Sequence, residues 1–446
     1  MATPPGRERL QRDRANGTRG RKPDDPILSI CYVTVGPHGA PRTGLGHAGT
    51  GIDGGLHGMN FERSEYAARL AATRRAMADQ GIELLVVTDP SNMAWLTGYD
   101  GWSFYVHQCV VIGGSGEPWW IGRGMDAAGA KLTTYLDHAR IVGYPDNYVQ
   151  SRERHPYDFI ARFIADQGCA KAAIGVELDN YYFSAACLEA LRRSLPQAAF
   201  KDATGLVNWR RAVKSPTEIE YIRRAARIVE RMQATAMELI EPGMRMNDLV
   251  AEIYRTAIKG TPEHGGDYPA IVPMLPTGEG ASAAHLTWSD KPFKSGEGTF
   301  MEIAGCYRRY HCPLSRTVFL GKPPQKFLDT EKAVLEGVAA ALEAAKPGNS
   351  CEMVEAAWRT TVARYGIEKE SRIGYSIGLS YPPDWGERTM SFRSGDKSQL
   401  APNMCFHLIP AIWKEDWGLE ITESFLVTER GAEPFCNFPR RLFVKP

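Results

Sequence analysis

The chain has 446 residues, of which 53 are Lys or Arg and 52 are Asp or Glu, so its formal net charge is +1. That balance excludes the strongly basic surface with which proteins bind nucleic acids or anionic membranes. The length favours two or three domains over one. Hydrophobic residues make up 43% of the chain, which excludes a disordered or collagen-like protein.

Residues 1–58 differ from the rest of the chain in composition. They hold 12 of the 44 glycines, with 8 Lys or Arg against 5 Asp or Glu, and show no helical or strand period. We therefore predict either a flexible tail or a start codon assigned too early, with Met59 as the real start. The apolar run at 27–35 lacks the small-residue cleavage pattern of a secretory signal.

Location is predicted from two further features of the sequence. It contains no run of about 20 apolar residues, which a membrane-spanning helix requires. The nine cysteines are an odd number without a Cys-x-x-Cys pair, a pattern typical of reduced thiols. We therefore expect a cytoplasmic protein that neither spans a membrane nor binds nucleic acid.

The predicted elements of residues 59–213 alternate between helix and strand. Apolar residues at helical spacing predict helices at 65–80, 154–167 and 184–194, and short apolar runs predict strands at 82–87 and 172–176. This alternation is typical of an α/β layer domain.

A second domain is predicted from residue 214 to 446. Ser215, Pro216 and Glu218 form a capping sequence ahead of a long amphipathic pattern, which predicts a helix ending before Pro242. Further helices are predicted at 330–345 and 351–365, and strands at 299–303, 405–409 and 420–428. Because these elements come in blocks, we expect an α+β sheet packed by helices.

Several of these segments resemble a known family. Residues 214–220 (Lys-Ser-Pro-Thr-Glu-Ile-Glu) and 241–244 (Glu-Pro-Gly-Met) resemble the opening of the "pita-bread" domain of prolidase, methionine aminopeptidase and creatinase. Residues 94–99 are similar to a strand-turn segment in the smaller N-terminal domain of prolidases and creatinases. The resemblance implies an α/β creatinase-like domain followed by an α+β pita-bread catalytic domain, and also a homodimer.

The resemblance also locates the positions at which peptidases of the family bind two metal ions. Those five positions correspond here to Glu302, Pro313, Tyr375, Ile409 and Glu423. Proline and isoleucine have no side-chain donor, and a phenol is a rare ligand for such metals. We therefore expect no metal and no other cofactor, and a prolidase-like metallopeptidase is a poor interpretation.

A metal-free site with two glutamates and a histidine suits a protonated amidine. The central carbon of such a group is electron-poor, and its positive charge is attracted to carboxylates. The resemblance places His285 where the family keeps a substrate-handling histidine. We therefore predict Glu302 as nucleophile or base, His285 as proton shuttle and Glu423 as the second carboxylate.

Residues 374–388, with Met390 and Ser391, resemble the ectoine hydrolases of this family, which open the cyclic amidine ring of ectoine to N-acetyl-2,4-diaminobutyrate. Ectoine is a small zwitterion, so its carboxylate needs a cation and its amidinium suits aromatic faces. The predicted substrate-binding residues are Arg388, Arg316, Tyr375, Tyr381, Trp95 and Trp385. Trp102 is a further candidate for the aromatic group.

Several alternatives stay open at this point. A creatinase-type amidinohydrolase would differ only in its pocket, and a non-catalytic binding protein would bind an amidine without turnover.

Strand alternation places Glu420 and Glu423 on opposite faces, and we prefer Glu423 for the site. His407 and His311 are interpreted as core residues because cysteine and aromatic residues flank them. Cys306 and Cys312 match no zinc-binding spacing.

Overall fold

The computed structural model describes residues 59–446. The predictions for residues 1–58, including the tail and the apolar run at 27–35, lie outside the described residues. Within 59–446, every helix is too short or too polar to cross a bilayer.

The amino-terminal half is a mixed β-sheet covered by helices on both faces. Its helices are α1 (Arg63–Asp79), α2 (Pro90–Thr97), α3 (Ala127–Thr133), α4 (Pro156–Asp166), α5 (Ala185–Ser194) and α6 (Asn208–Arg211). Its strands are β1 (Leu84–Val87), β2 (Cys109–Gly113), β3 (Trp119–Arg123), β4 (Ile141–Tyr144), β5 (Ala173–Val176) and β6 (Ala199–Asp202). They are ordered β4-β3-β2-β1-β5-β6, and β1 pairs antiparallel with β2 and parallel with β5.

The predicted helices and strands of this half are present, but the predicted strand-turn segment at 94–99 is wrong. Residues 94–97 form the last turn of α2, and Gly98, the C-cap residue that follows, has a φ of 83°. The side chain of Asp89 accepts hydrogen bonds from the backbone N–H groups of Ser91 and Asn92, and Pro90 opens the helix. An Asp-Pro pair can follow the end of a strand and can also begin a helix. Here Asp89 and Pro90 follow β1 and begin α2.

The carboxy-terminal half contains four helices and ten strands. The helices are α7 (Pro216–Leu239), α8 (Met246–Lys259), α9 (Gln325–Ala344) and α10 (Cys351–Ala363). The strands are β7 (Gly298–Tyr307), β8 (Tyr310–Leu320), β9 (Gly374–Ile377), β10 (Gly386–Ser391), β11 (Cys405–Leu408), β12 (Ile412–Lys414), β13 (Trp417–Leu419), β14 (Glu423–Thr428), β15 (Gly431–Pro434) and β16 (Phe443–Lys445). They form sheets ordered β10-β9-β11-β14-β15 and β16-β8-β7, with β12 and β13 as a separate pair.

Helix α7 begins as predicted and packs against the β7–β8 hairpin. The Ser215 side chain accepts from the backbone of Glu218, whose carboxylate accepts in turn from the backbone of Ser215. Gly305 lies under α7, where an added Cβ would come within 2.0 Å of the Ala225 carbonyl oxygen. Only glycine allows this helix to lie so close to the strand.

The strand predicted at 420–428 begins three residues later, and this difference shapes the site. The segment before β14 is bonded to β8 instead: the Glu420 N–H donates to Thr317 Oγ1, and the Thr422 N–H donates to the Ser315 carbonyl. Ser315 is the cross-strand partner of Glu302. The polar segment 420–422 therefore lies beside the β7–β8 hairpin at the level of Glu302.

Candidate active site

Glu302 lies in the middle of β7 with 4% of its surface exposed. Within residues 59–446, no hydrogen bond to its carboxyl group is formed, and Nδ1 of His407 lies 4.0 Å from Oε1. Burial, and then the charge of Asp384, raise the pKa of Glu302 to about 8. A carboxyl group with this pKa changes protonation state near neutral pH, as a general base or nucleophile must.

Trp385, Tyr375 and His407 form a hydrogen-bonded chain beside Glu302, with the Tyr375 hydroxyl at its centre. The Tyr375 hydroxyl accepts a hydrogen bond of 2.8 Å from Trp385 Nε1 and lies 3.1 Å from His407 Nδ1. Burial, and then Glu302, raise the pKa of Tyr375 well above its usual value. Two of the predicted substrate-binding residues, Tyr375 and Trp385, are thus brought to Glu302.

His407 is fully buried, as the sequence predicted, and both of its ring nitrogens are engaged. Nε2 lies 2.9 Å from Thr422 Oγ1, while Nδ1 faces Tyr375. Burial, and then Arg372, lower the pKa of His407 to about 3. A neutral imidazole held at both nitrogens is suited to orienting its neighbours rather than to carrying protons.

Glu420 is the second acidic group on the Glu302 side of the sheet. Its side chain is fully buried, and neither carboxyl oxygen has a hydrogen-bond partner among residues 59–446. Burial, and then the charge of Glu302, raise its pKa well above the usual value, although Lys369 opposes the shift. Because an unpaired buried carboxyl group is costly, such a group points to a function.

Glu423 lies on the opposite face and has other partners. Its Oε1 accepts hydrogen bonds from Arg316 Nη2 at 2.7 Å and from Arg440 Nε at 3.1 Å. No described contact joins Glu423 to Glu302 within residues 59–446. Alternation does place Glu420 and Glu423 on opposite faces, but Glu420 faces Glu302, whereas the sequence analysis preferred Glu423.

Arg316 is fully buried, and all three of its guanidinium nitrogens donate to protein acceptors. The acceptors are the carboxylate of Glu423 and the backbone carbonyls of Ser315, Thr422, Phe438 and Pro439. This arrangement braces β8 against the segment before β14 and the C-terminal residues. The structure therefore places Arg316 in the framework and not against a ligand.

Trp95 and Tyr381 lie where the two halves of the chain meet. Trp95 Nε1 donates to Glu218 Oε1 at 3.1 Å, beside the buried ion pair of Arg69 and Glu218. The Tyr381 hydroxyl donates to Asp100 Oδ1 at 2.8 Å, and Asp100 also pairs with Arg309. Both are tied into the contact between the halves and have no described contact with Glu302.

Arg388, His285 and Trp102 are the predicted site residues with an exposed side chain, and the Trp102 ring packs against Phe104 and Tyr268. Arg388 Nη2 donates to Asp179 Oδ2 at 2.9 Å, and its guanidinium lies over the ring of Tyr181. His285 follows the turn at Gly278–Ser282, and its side chain is exposed. No hydrogen bond within 59–446 joins His285 to Glu302.

The residues present do not fit a dinuclear metal centre of the kind found in peptidases of the family. Pro313 and Ile409 have no side-chain donor, Tyr375 is engaged with Trp385 and His407, and Glu423 faces two arginines. Within residues 59–446, three or more metal-ligating side chains converge within 4.8 Å at one place, His107, His155 and Cys187 in the amino-terminal half.

Sequence reasoning missed the roles of His407, Thr422, Glu420 and Arg372. The Arg372 guanidinium is exposed and lies 4.5 Å from the centre of the Tyr375 ring. For Glu420, the sequence offered only the alternation of side chains along 420–423. That alternation places two acids on opposite faces but does not show which of them faces Glu302. His311, interpreted as a core residue, is buried and accepts from the Ala270 N–H at Nε2.

Two family descriptions match consecutive parts of the chain. The Creatinase/Prolidase N-terminal domain matches residues 69–213, and Metallopeptidase family M24 matches residues 220–429. The ectoine hydrolase of Halomonas elongata is 57% identical over 394 residues, which cover 87% of this chain and 99% of that enzyme. The chain belongs to the creatinase/prolidase family.

Solved structures of this family share its fold. The dipeptidase PepE from Mycobacterium ulcerans superimposes with a TM-score of 0.72 at 25% identity, covering 86% of this chain and 99% of that one. A prolidase from Thermococcus sibiricus gives a TM-score of 0.74 at 19% identity, covering 85% and 99%. The predicted fold, a creatinase-like N-terminal domain followed by a pita-bread domain, is confirmed, while the limits 59–213 and 214–446 stay predictions.

Proposed function

We propose that this chain is a hydrolase that opens the cyclic amidine ring of ectoine to N-acetyl-L-2,4-diaminobutyrate without an obligatory metal. The observation that carries the proposal is the 57% identity with an ectoine hydrolase over 99% of that enzyme. The buried acids at Glu302 and Glu420 support it, because a cyclic amidinium needs carboxyl groups around it.

The chemistry of the pocket acids suits a cationic substrate. Burial raises the pKa of both Glu302 and Glu420, which favours their uncharged forms before substrate binds. The single charge of an amidinium favours the ionised form of Glu302, because opposite charges attract strongly where water is excluded, while Glu420 keeps its proton. Substrate binding thus creates the carboxylate that the reaction needs.

Glu302 acts at the amidine carbon as nucleophile or as base. An oxygen of Glu302, or of a water that Glu302 deprotonates, forms a bond to that carbon, and one ring C–N bond then breaks. The leaving nitrogen takes up a proton, and one water is consumed overall. If Glu302 itself attacks, that water cleaves the Glu302 adduct in a second step.

Glu420 takes the place of Glu423 as the second carboxyl group of the site. Its raised pKa keeps a proton available for the leaving nitrogen, whereas Glu423 is paired with Arg316 and Arg440. His407 positions Tyr375 and Thr422. His285 stays a predicted proton shuttle, since its exposed ring can exchange protons with solvent.

A cation is needed for the carboxylate of ectoine. Arg316 has no donor nitrogen to spare, which leaves Arg388 from the sequence prediction and Arg372 from the structure. Arg372 lies against the ring of Tyr375, on the Glu302 side of the sheet. Arg388 is held by a single hydrogen bond to Asp179, an exposed residue, so it can turn to another acceptor.

Two further expectations belong to this proposal. A homodimer is predicted from the resemblance to creatinase-like proteins, and a cytoplasmic location from the cysteine pattern. Size-exclusion chromatography with light scattering measures the first, and fractionation of the source cells the second.

The test is turnover by protein from which metal has been removed. Protein dialysed against a chelator, with its metal content measured, is incubated with ectoine, creatine or a Xaa-Pro dipeptide and followed by proton NMR. We expect ring opening of ectoine, with the Glu302→Gln variant as the inactive control. Unchanged ectoine with folded protein would overturn the proposal, urea release from creatine would favour an amidinohydrolase, and activity only after metal addition would refute the metal-free chemistry.

A further inference from the structure

His107, His155 and Cys187 come together from three separate segments of the amino-terminal half. His107 lies just before β2, His155 is the N-cap residue of α4, and Cys187 is the third residue of α5. One nitrogen of each histidine and the sulfur of Cys187 lie within 4.8 Å of one another. None of these segments contributes a residue to the Glu302 site.

The separation of the first two ligand atoms is that of a metal-bound pair. His107 Nδ1 lies 3.6 Å from Cys187 Sγ. Tetrahedral zinc has bonds of about 2.3 Å to sulfur and 2.0–2.1 Å to nitrogen, which separate the two ligand atoms by about 3.6 Å. The Sγ–Nδ1 distance therefore already matches that of two atoms bound to one zinc ion.

His155, the third ligand of the cluster, also caps helix α4. His155 Nδ1 accepts a 3.2 Å hydrogen bond from the Tyr157 N–H in the α4 cap. Ligation by that nitrogen competes with the cap bond. His155 also lines an open cleft of about 700 Å³, so solvent can reach the cluster from this side and supply a fourth ligand.

We propose that His107, His155 and Cys187 form a binding site for a soft or borderline transition-metal ion, of which Zn²⁺ is the type, with water as the fourth ligand. A thiolate with two imidazoles is the ligand set that such ions prefer over Mg²⁺ or Ca²⁺. The site is independent of the proposed reaction at Glu302, so either can fail without the other.

The test uses Co²⁺ as a spectroscopic substitute in the full chain after metal removal. We expect one equivalent to produce the ultraviolet charge-transfer band of a cobalt–thiolate bond, with visible bands of tetrahedral cobalt, and Zn²⁺ to displace it. Cys187→Ser abolishes the ultraviolet band, and Cys169→Ser, which removes a thiol outside the cluster, leaves it unchanged.

The histidine variants separate ligation from capping. Asparagine is a good N-cap residue but a poor zinc ligand, so His155→Asn keeps α4 capped and is expected to weaken cobalt binding at least tenfold, with an unchanged melting temperature without metal. His107→Gln is expected to weaken binding to a similar degree. A wild-type protein without the thiolate band, or a band that persists in Cys187→Ser, would overturn the proposal.

Discussion

Arg316 Nη2 donates a 2.7 Å hydrogen bond to Glu423 Oε1, and both side chains are almost completely buried. Glu302 lies close to this pair, on strand β7 of the same β7–β8 hairpin. Within residues 59–446, no arginine forms an ion pair with its carboxyl group. Glu423 is therefore paired with a buried cation, whereas Glu302, the proposed reactive acid, is not. The contrast between these two acids leads to the first three predictions.

Glu302→Gln is expected to lower the rate of ectoine turnover at least about a hundredfold, the lower range for loss of a general base. The amide is similar in size, so the fold is retained, and circular dichroism provides the check. Glu302→Asp separates the two roles, because a shortened side chain cannot reach as a nucleophile. Full activity in that variant, or absence of a trapped adduct on Glu302, would argue against a covalent intermediate.

Glu302 is also expected to make stability fall as pH rises. Its pKa is near 4.5 when unfolded and about 8 when folded, so between these values the folded state holds a proton that the unfolded state has lost. The free energy of unfolding therefore decreases from about pH 4.5 to about pH 8 through this group. Urea unfolding should show a smaller decrease over that window in Glu302→Gln than in wild type; equal slopes would contradict the raised pKa.

Glu420→Gln and Glu423→Gln are expected to have opposite effects. Glu420→Gln removes a buried acid whose carboxyl oxygens have no hydrogen-bond partner among residues 59–446, so turnover falls while the free energy of unfolding is unchanged or higher. Glu423→Gln leaves the buried Arg316 without its counter-ion and is expected to cost about 3 kcal/mol of stability. Chemical unfolding and NMR turnover measure the two effects, and a reversed pattern would return Glu423 to the catalytic set.

Tyr375→Phe is expected to cost about 1–3 kcal/mol, because it leaves Trp385 Nε1 without its acceptor in a fully buried site. Chemical denaturation measures the loss. Tyr181→Phe is the matched control: Tyr181 is 60% exposed, so we expect a change below about 0.5 kcal/mol. Equal effects of the two variants would show that the Tyr375 hydrogen bonds contribute nothing to the fold.

Gly305→Ala tests the contact between α7 and β7. The new Cβ would lie 2.0 Å from the Ala225 carbonyl oxygen and 2.7 Å from the Val229 nitrogen, both backbone atoms that move only with the whole helix. We expect a loss of about 3 kcal/mol or more, measured by thermal or urea unfolding. Gly129→Ala in α3, where nothing lies within 4 Å, is the control and should be neutral or stabilising.

The sequence by itself determined the local elements, because their signals are local. Ser215, Pro216 and Glu218 specify the start of α7 through bonds within four residues, and the helix predicted at 184–194 is α5, which begins one residue later. Motif order identified the family, since each motif is a contiguous segment. Glu302 could be selected as a candidate reactive acid because a lone acid within an apolar strand is unusual in any fold.

Only the tertiary structure decided which groups surround Glu302. His407, Thr422 and Glu420 are more than 100 positions away in the chain. Thr422 and Glu420 reach Glu302 through the pairing of β8 with the segment before β14, and His407 reaches it from β11, which pairs with β9 and β14. The alternation of side chains along a strand puts Glu420 and Glu423 on opposite faces, but it does not show which of the two faces is directed at Glu302. Arg316 and Arg440 decide this question. They come from distant segments and bind Glu423 on the face away from Glu302.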